Sequence, residues 1–173
     1  LIEPLLKTLM DRYYAQRIAL ALPSLRTETL TPNLIEAIRR VRKTSFTLAP
    51  EAGTQRLRDI INKGNTEEEL LATTERVFAA GWKAVKLYFM LGLPSETEDD
   101  LLGIVALTHR VSAAGGHRRP VTASVSTFVP KPHTPFQWAP QVTISETKAR
   151  QSLLRRELGR QRLAHHAAHA REP

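Results

Sequence analysis

Val85-Lys-Leu-Tyr-Phe-Met-Leu-Gly-Leu-Pro-Ser-Glu-Thr-Glu-Asp-Asp100 is the stretch on which the fold turns. Lys86 and Tyr88 alternate with Val85, Leu87 and Phe89, the two-residue period of a strand. Gly92-Leu-Pro94 makes a turn, and Thr97 then caps a helix. That helix carries Glu98, Asp99 and Asp100 in its first turn, where carboxylates complement the helix dipole. A buried strand, a turn and an acidic helix start make up the ligand-binding end of a βα unit, where functional groups sit just past the strand.

The same order extends in both directions. Glu3 to Gln16 has Leu5, Leu6, Leu9, Met10 and Tyr13 at helical spacing, and Arg17 to Leu25 is a strand candidate. Thr31-Pro32 starts a helix with Leu34, Ile35, Ile38 and Val41 facing inward, and Thr44 to Ala49 is a short strand. Thr54 to Asn62 suits a short helix ending near Lys63-Gly64. Thr66 and Glu69 have the spacing of a capping box, and Gly81 ends the helix they open. Beyond the central strand, Ala84 to Leu91, the Thr97 helix ends at Gly115-Gly116, and Val121 to Val129 alternates as a strand. A proline-rich loop over 130–140 leads to one long helix from Ser145 to about Ala170. About four strands alternating with helices imply an α/β fold: a partial parallel (β/α) barrel or a small doubly wound sheet.

The bulk numbers bound this reading. A chain of 173 residues, 42% hydrophobic and 24% charged, is one domain or a large piece of one. The longest uncharged apolar stretch, Leu87 to Pro94, is too short to cross a bilayer, and the first residues lack the basic start of a signal peptide. Starting at Leu1 suggests a cut rather than a natural start. The absence of cysteine rules out disulfides and thiolate-bound metal within the chain and fits a cytoplasmic protein. Net charge is +8, with seven Lys or Arg against three Glu from Glu146 onward. The segments divide as 1–140, the barrel portion, and 141–173, a basic helix or linker. A basic tail can meet nucleic acid, but no aromatic residue interleaves its charges, which favours a solvated helix face.

Candidate functional groups collect at the strand ends: Pro23-Ser-Leu-Arg26, Ala49-Pro-Glu-Ala-Gly53, Met90-Leu-Gly-Leu-Pro94 and Phe128-Val-Pro-Lys-Pro-His133. Glu51 can accept hydrogen bonds from a ligand's ammonium or hydroxyl groups. It can equally serve as a helix cap, or pair with Arg56 or Arg58 at the surface. Gly92 either lets a ligand approach the backbone or forms a plain tight turn. Lys86 and Tyr88 share a strand face and are expected in the barrel interior, near its mouth. His133 is a general acid/base candidate or part of a rigid loop with Lys131, pinned to the sheet by Phe136 and Trp138. His165 and His169 share a helix face, but no further ligand completes a metal set there.

The four strand-end runs Pro23-Ser-Leu-Arg26, Phe46-Thr-Leu-Ala-Pro-Glu-Ala-Gly-Thr-Gln-Arg-Leu-Arg58, Lys86-Leu-Tyr-Phe-Met-Leu-Gly-Leu-Pro94 and Thr127-Phe-Val-Pro-Lys-Pro-His-Thr-Pro-Phe-Gln-Trp138 resemble, in order and spacing, the radical SAM superfamily. The likeness is to its branch with an upstream cobalamin-binding domain, and it covers roughly Leu1 to Ala139. The resemblance implies a partial (β/α)6 barrel that binds S-adenosylmethionine across its strand ends, with these strands as its third to sixth. It implies cofactor contacts from Glu51, Lys63 and Tyr88. Ser24 and Arg26 would lie at the third strand's end, Gly92 at the fifth's, and Val129 in the segment that packs on adenine. Lys86, Lys131 and His133 would face substrate or close the barrel.

One departure limits what the chain can do alone. The family holds a [4Fe–4S] cluster through a C-x-x-x-C-x-x-C loop, and this chain has no cysteine. The expectation is a fragment of a longer enzyme. Intact, with an upstream cluster loop and in some forms cobalamin, that enzyme would generate a 5′-deoxyadenosyl radical; the fragment alone would be inactive. A non-radical α/β-barrel enzyme and an inert binding or scaffold module remain the alternatives.

Overall fold

The computed structural model describes residues 2–18, 45–117 and 119–169, with side chains for 4–18, 46–117 and 119–160. Helix α1 (Ile2–Tyr13) buries Leu6 and Met10, one turn apart, while Leu5 stays exposed. A 3-10 turn (Tyr14–Gln16) ends it, with Arg17 in the left-handed region at φ 55°. Arg17 and Ile18 are therefore not strand residues. The rest of the strand expected to Leu25, and the Thr31 helix, lie outside the described residues.

Three strands are described, β1 (Ser45–Glu51), β2 (Ala84–Leu91) and β3 (Val121–Thr127). They form one parallel sheet in the order β1-β2-β3. Between β1 and β2 run α2 (Gln55–Ile60) and α3 (Glu67–Ala79). Helix α4 (Glu98–Ala114) connects β2 to β3, and α5 (Ile144–His169) follows the proline-rich loop and packs on α4. Parallel neighbours need such crossovers, because the chain must return to the same end before each strand.

Alternation splits the sheet into two chemically distinct faces. Phe46, Leu48, Val85, Leu87, Phe89 and Leu91 are buried in a core shared with α3 and α4, which Val121, Ala123 and Val125 extend. Burying each large apolar side chain contributes roughly 1.5–3 kcal/mol. The opposite face carries Thr47, Lys86, Tyr88, Met90 and Ser124, all only partly buried, with Thr122 and Ser126 exposed.

The local signals acted as their chemistry requires. Thr66 accepts from the Glu69 N–H at 3.2 Å while the Glu69 carboxylate accepts from the Thr66 N–H at 3.0 Å. Thr97 and Asp100 form a second capping box. The turn after α2 uses left-handed residues twice, at Asn62 (φ 53°) and Gly64 (φ 74°).

Candidate functional site

Strand β1 ends on a bulge. Its register to β2 shifts between Leu48 and Glu51, and Glu51 takes a left-handed backbone at φ 68°. A non-glycine residue rarely adopts that region, so the surrounding structure must hold it there. Its carboxylate Oε1 meets Lys63 Nζ at 3.3 Å, with both side chains about a quarter exposed. Two of the three residues that the resemblance assigned to cofactor contact, Glu51 and Lys63, are thus brought together, twelve positions apart, into one half-buried pair of opposite charges. Arg56 and Arg58, the other expected partners, point elsewhere.

Arg56 reaches Asp100 and donates to the Ser95 carbonyl at 2.9 Å. Asp100 also accepts from Thr54 Oγ1, and at 2.8 Å from both the N–H and the hydroxyl of Thr97. One buried carboxylate thereby ties the turn after β1 to the turn after β2. Burial opposes its ionisation, but the hydrogen bonds from Thr54, Thr97 and Arg56 prevail and lower its pKa to about 2. Backbone packing also holds the turn after β1 against α4. A Cβ on Gly53 would lie 2.2 Å from the Ile104 nitrogen, and one on Gly103 would lie 2.6 Å from Thr54 Cγ2. Only glycine permits that approach.

The β2 end is sealed by its own chain. Gly92 (φ 80°) donates its N–H to both carboxylate oxygens of Glu96, at 2.9 and 3.0 Å. Val142 occupies the space a Cβ there would need, at 2.6 Å. The Glu96 side chain is 2% exposed and pairs with Arg150 of α5. Burial pushes its pKa up, against the pull of the Gly92 N–H and of Arg150.

The remaining candidates are spread out. Tyr88 and Lys86 do share the sheet's open face, with Lys86 Nζ 4.9 Å from the Tyr88 ring centroid. At roughly 3.3 Å per residue, Tyr88 lies about 10 Å and Lys86 about 16 Å before Leu91 along the strand. Lys86 therefore sits toward the far end rather than near the mouth. Val129, Lys131 and His133 are exposed beyond β3, which stops at Thr127. Phe136 anchors the proline-rich loop edge-on to Phe128, at 6.2 Å. Trp138 does not anchor it: 89% exposed, it stands off the sheet. Ser24 and Arg26 lie outside the described residues. The acidic, buried roles of Glu96 and Asp100 were not foreseen. Thr97 and Asp100 have the spacing of a capping box, which signals a helix start but not a tie across to another loop.

A parallel sheet alternating with helices, with a half-buried ion pair at one strand's C-terminal end, makes this an α/β protein consistent with part of a (β/α) barrel. The chain belongs to the Radical SAM superfamily, whose family model matches residues 3–108. The match ends within α4, before β3 and the proline-rich loop. An uncharacterized protein of Methanocaldococcus jannaschii is 39% identical over 114 residues, or 66% of this chain. The chain spans 24% of that relative's length.

The superfamily in general uses S-adenosylmethionine and a [4Fe–4S] cluster. This chain's own residues do not fit the cluster. They include no cysteine, and no group of three metal-ligating side chains occurs among the described residues. The Glu51–Lys63 pair does suit the amino-acid end of S-adenosylmethionine, which carries an ammonium and a carboxylate. No helix among the described residues is long and apolar enough to cross a membrane.

Proposed function

We propose that this chain supplies part of the S-adenosylmethionine site of a radical SAM enzyme. The observation that carries the reading is the Glu51–Lys63 pair at the C-terminal end of β1, about a quarter exposed and held at a left-handed strand end. Glu51 would accept hydrogen bonds from the ligand's ammonium, and Lys63 would meet its carboxylate, so the zwitterion would replace the internal pair by two charge-assisted contacts. Tyr88, on the sheet's open face, would offer its hydroxyl to the ribose. Ser24, Arg26 and Val129 keep the roles that the resemblance implies. Gly92 would serve the site through its turn rather than its own backbone, since Glu96 and Val142 already engage it.

Lys131 and His133, exposed on the loop after β3, are the groups available to close over a substrate. Radical generation belongs to the whole protein, because the cluster's thiolates must come from outside these residues. The four strand-end runs support the narrower assignment to the cobalamin-associated branch.

Titration of the chain with S-adenosylmethionine by isothermal calorimetry tests the reading. Glu51→Gln should weaken binding about tenfold or more, the scale of one hydrogen bond to a charged group. An unchanged dissociation constant would remove Glu51 from the site.

A further inference from the structure

Arg58 is the one fully buried cation among the described residues, at 0% exposure. No carboxylate pairs with it there. Its guanidinium donates instead to the Ala52 carbonyl at 3.0 Å and to Gln55 Oε1 at 3.1 Å, and its Nε has no partner. Burying a charge without an ion partner is costly, so the contacts it does make matter to the fold around it. Those contacts converge on the proposed site from two sides. Ala52 directly follows Glu51, whose left-handed backbone needs external support. On the other side, the Arg58 carbonyl accepts the Lys63 N–H at 2.9 Å. One residue therefore bonds next to each member of the Glu51–Lys63 pair.

We propose that Arg58 is a positioning residue. Its side chain fixes the Glu51 end of the pair, its backbone fixes the Lys63 end, and through the pair it governs affinity for S-adenosylmethionine. The inference rests on the reading above for its link to that ligand, but its structural half can be read without any ligand.

Lysine at this position keeps the charge and loses the planar fork that reaches Ala52 and Gln55 together. Arg58→Lys tests the role, and Arg58→Gln serves if the lysine variant fails to fold. The first readout is ligand-free: the carboxyl 13C resonance of Glu51, with and without Lys63→Gln. In the native background Lys63→Gln should move that resonance. In the Arg58→Lys background the response should shrink or vanish, and an undiminished response would overturn the proposal.

The second readout is a double-mutant cycle on S-adenosylmethionine affinity. Arg58→Lys should weaken binding about tenfold, and adding it to Glu51→Gln should cost little more, because both act through one pair. Losses that multiply independently would show Arg58 acting by general stability alone and would also overturn it. If Glu51→Gln leaves affinity unchanged while the 13C response is lost in Arg58→Lys, the site reading falls and the positioning role stands.

Discussion

The ends of β1 and β2 lie side by side in one parallel sheet, and they use opposite chemistry. At the β1 end, an acid and a base face each other with about a quarter of each side chain in solvent. At the β2 end, an acid and a base also pair, but the Glu96 carboxylate is buried and occupied by the Gly92 amide and Arg150. Both turns contain glycine and both follow an apolar strand. The difference teaches that a charge at a strand end marks a candidate site only when packing leaves it accessible. A buried one is spent on holding the turn.

Asp100 joins the two ends, so its removal is the severest test of their independence. Asp100→Ala should lower unfolding free energy by about 3 kcal/mol in urea denaturation, the scale of breaking a buried hydrogen-bonded ion pair. A loss under half that would mean the glycine contact between Gly53 and α4 already suffices to hold the turns together.

Acid should separate the two buried carboxylates. Asp100 has a pKa of about 2 against an ordinary 3.8, so its contribution is present above about pH 4 and lost as pH falls toward 2. That shift amounts to about 2 kcal/mol. Glu96 runs the other way. Its pKa is raised above 4.5 by burial, so its contribution is fully present below 4.5 and is lost as pH rises through the raised value. Acid unfolding should therefore concentrate below pH 4, and Asp100→Asn should flatten it. An equally steep loss in the asparagine variant would break the assignment.

Gly92→Ala should destabilise by about 1–2 kcal/mol, the cost of forcing an L side chain into the left-handed region, with added crowding against Val142. Thermal unfolding would register it, and an unchanged midpoint would show that the β2 turn can reshape. Smallest in stability is Glu51→Gln, under about 1 kcal/mol, as for other partly exposed ion pairs. Its signature is instead the weakened S-adenosylmethionine binding described above. A larger stability loss than that of Gly92→Ala would reverse the contrast between the two ends.

The helix starts and strand periods were legible because they depend on neighbours in sequence. Thr66 with Glu69 is a contact within one helical turn, and the alternation of Val85 through Leu91 states which side chains share a face. Glu51 was legible as a candidate from its place after an apolar strand and Lys63 only through resemblance, and a twelve-residue separation says nothing about their meeting. Arg58 was read as an ordinary surface cation and proved to be buried. Nothing in the order Gln-Arg-Leu-Arg distinguishes Arg56, which stays half in water, from Arg58 two places on. Arg56 reaches Asp100 on α4, whereas Arg58 turns back to the Ala52 carbonyl and Gln55.

The sequence by itself determined an α/β chain of parallel strands, the caps that start α3 and α4, the strand-end runs, and the absence of cluster thiolates. Those properties follow from local periodicity, hydrogen bonding within a turn, and composition. Tertiary structure alone decided which charges remain accessible. It set α4 against Gly53 closely enough to bury Asp100, brought α5 and Val142 over the β2 turn, and left the Glu51–Lys63 pair about a quarter in water. Accessibility is a property of what packs over a residue, and that depends on elements far away along the chain.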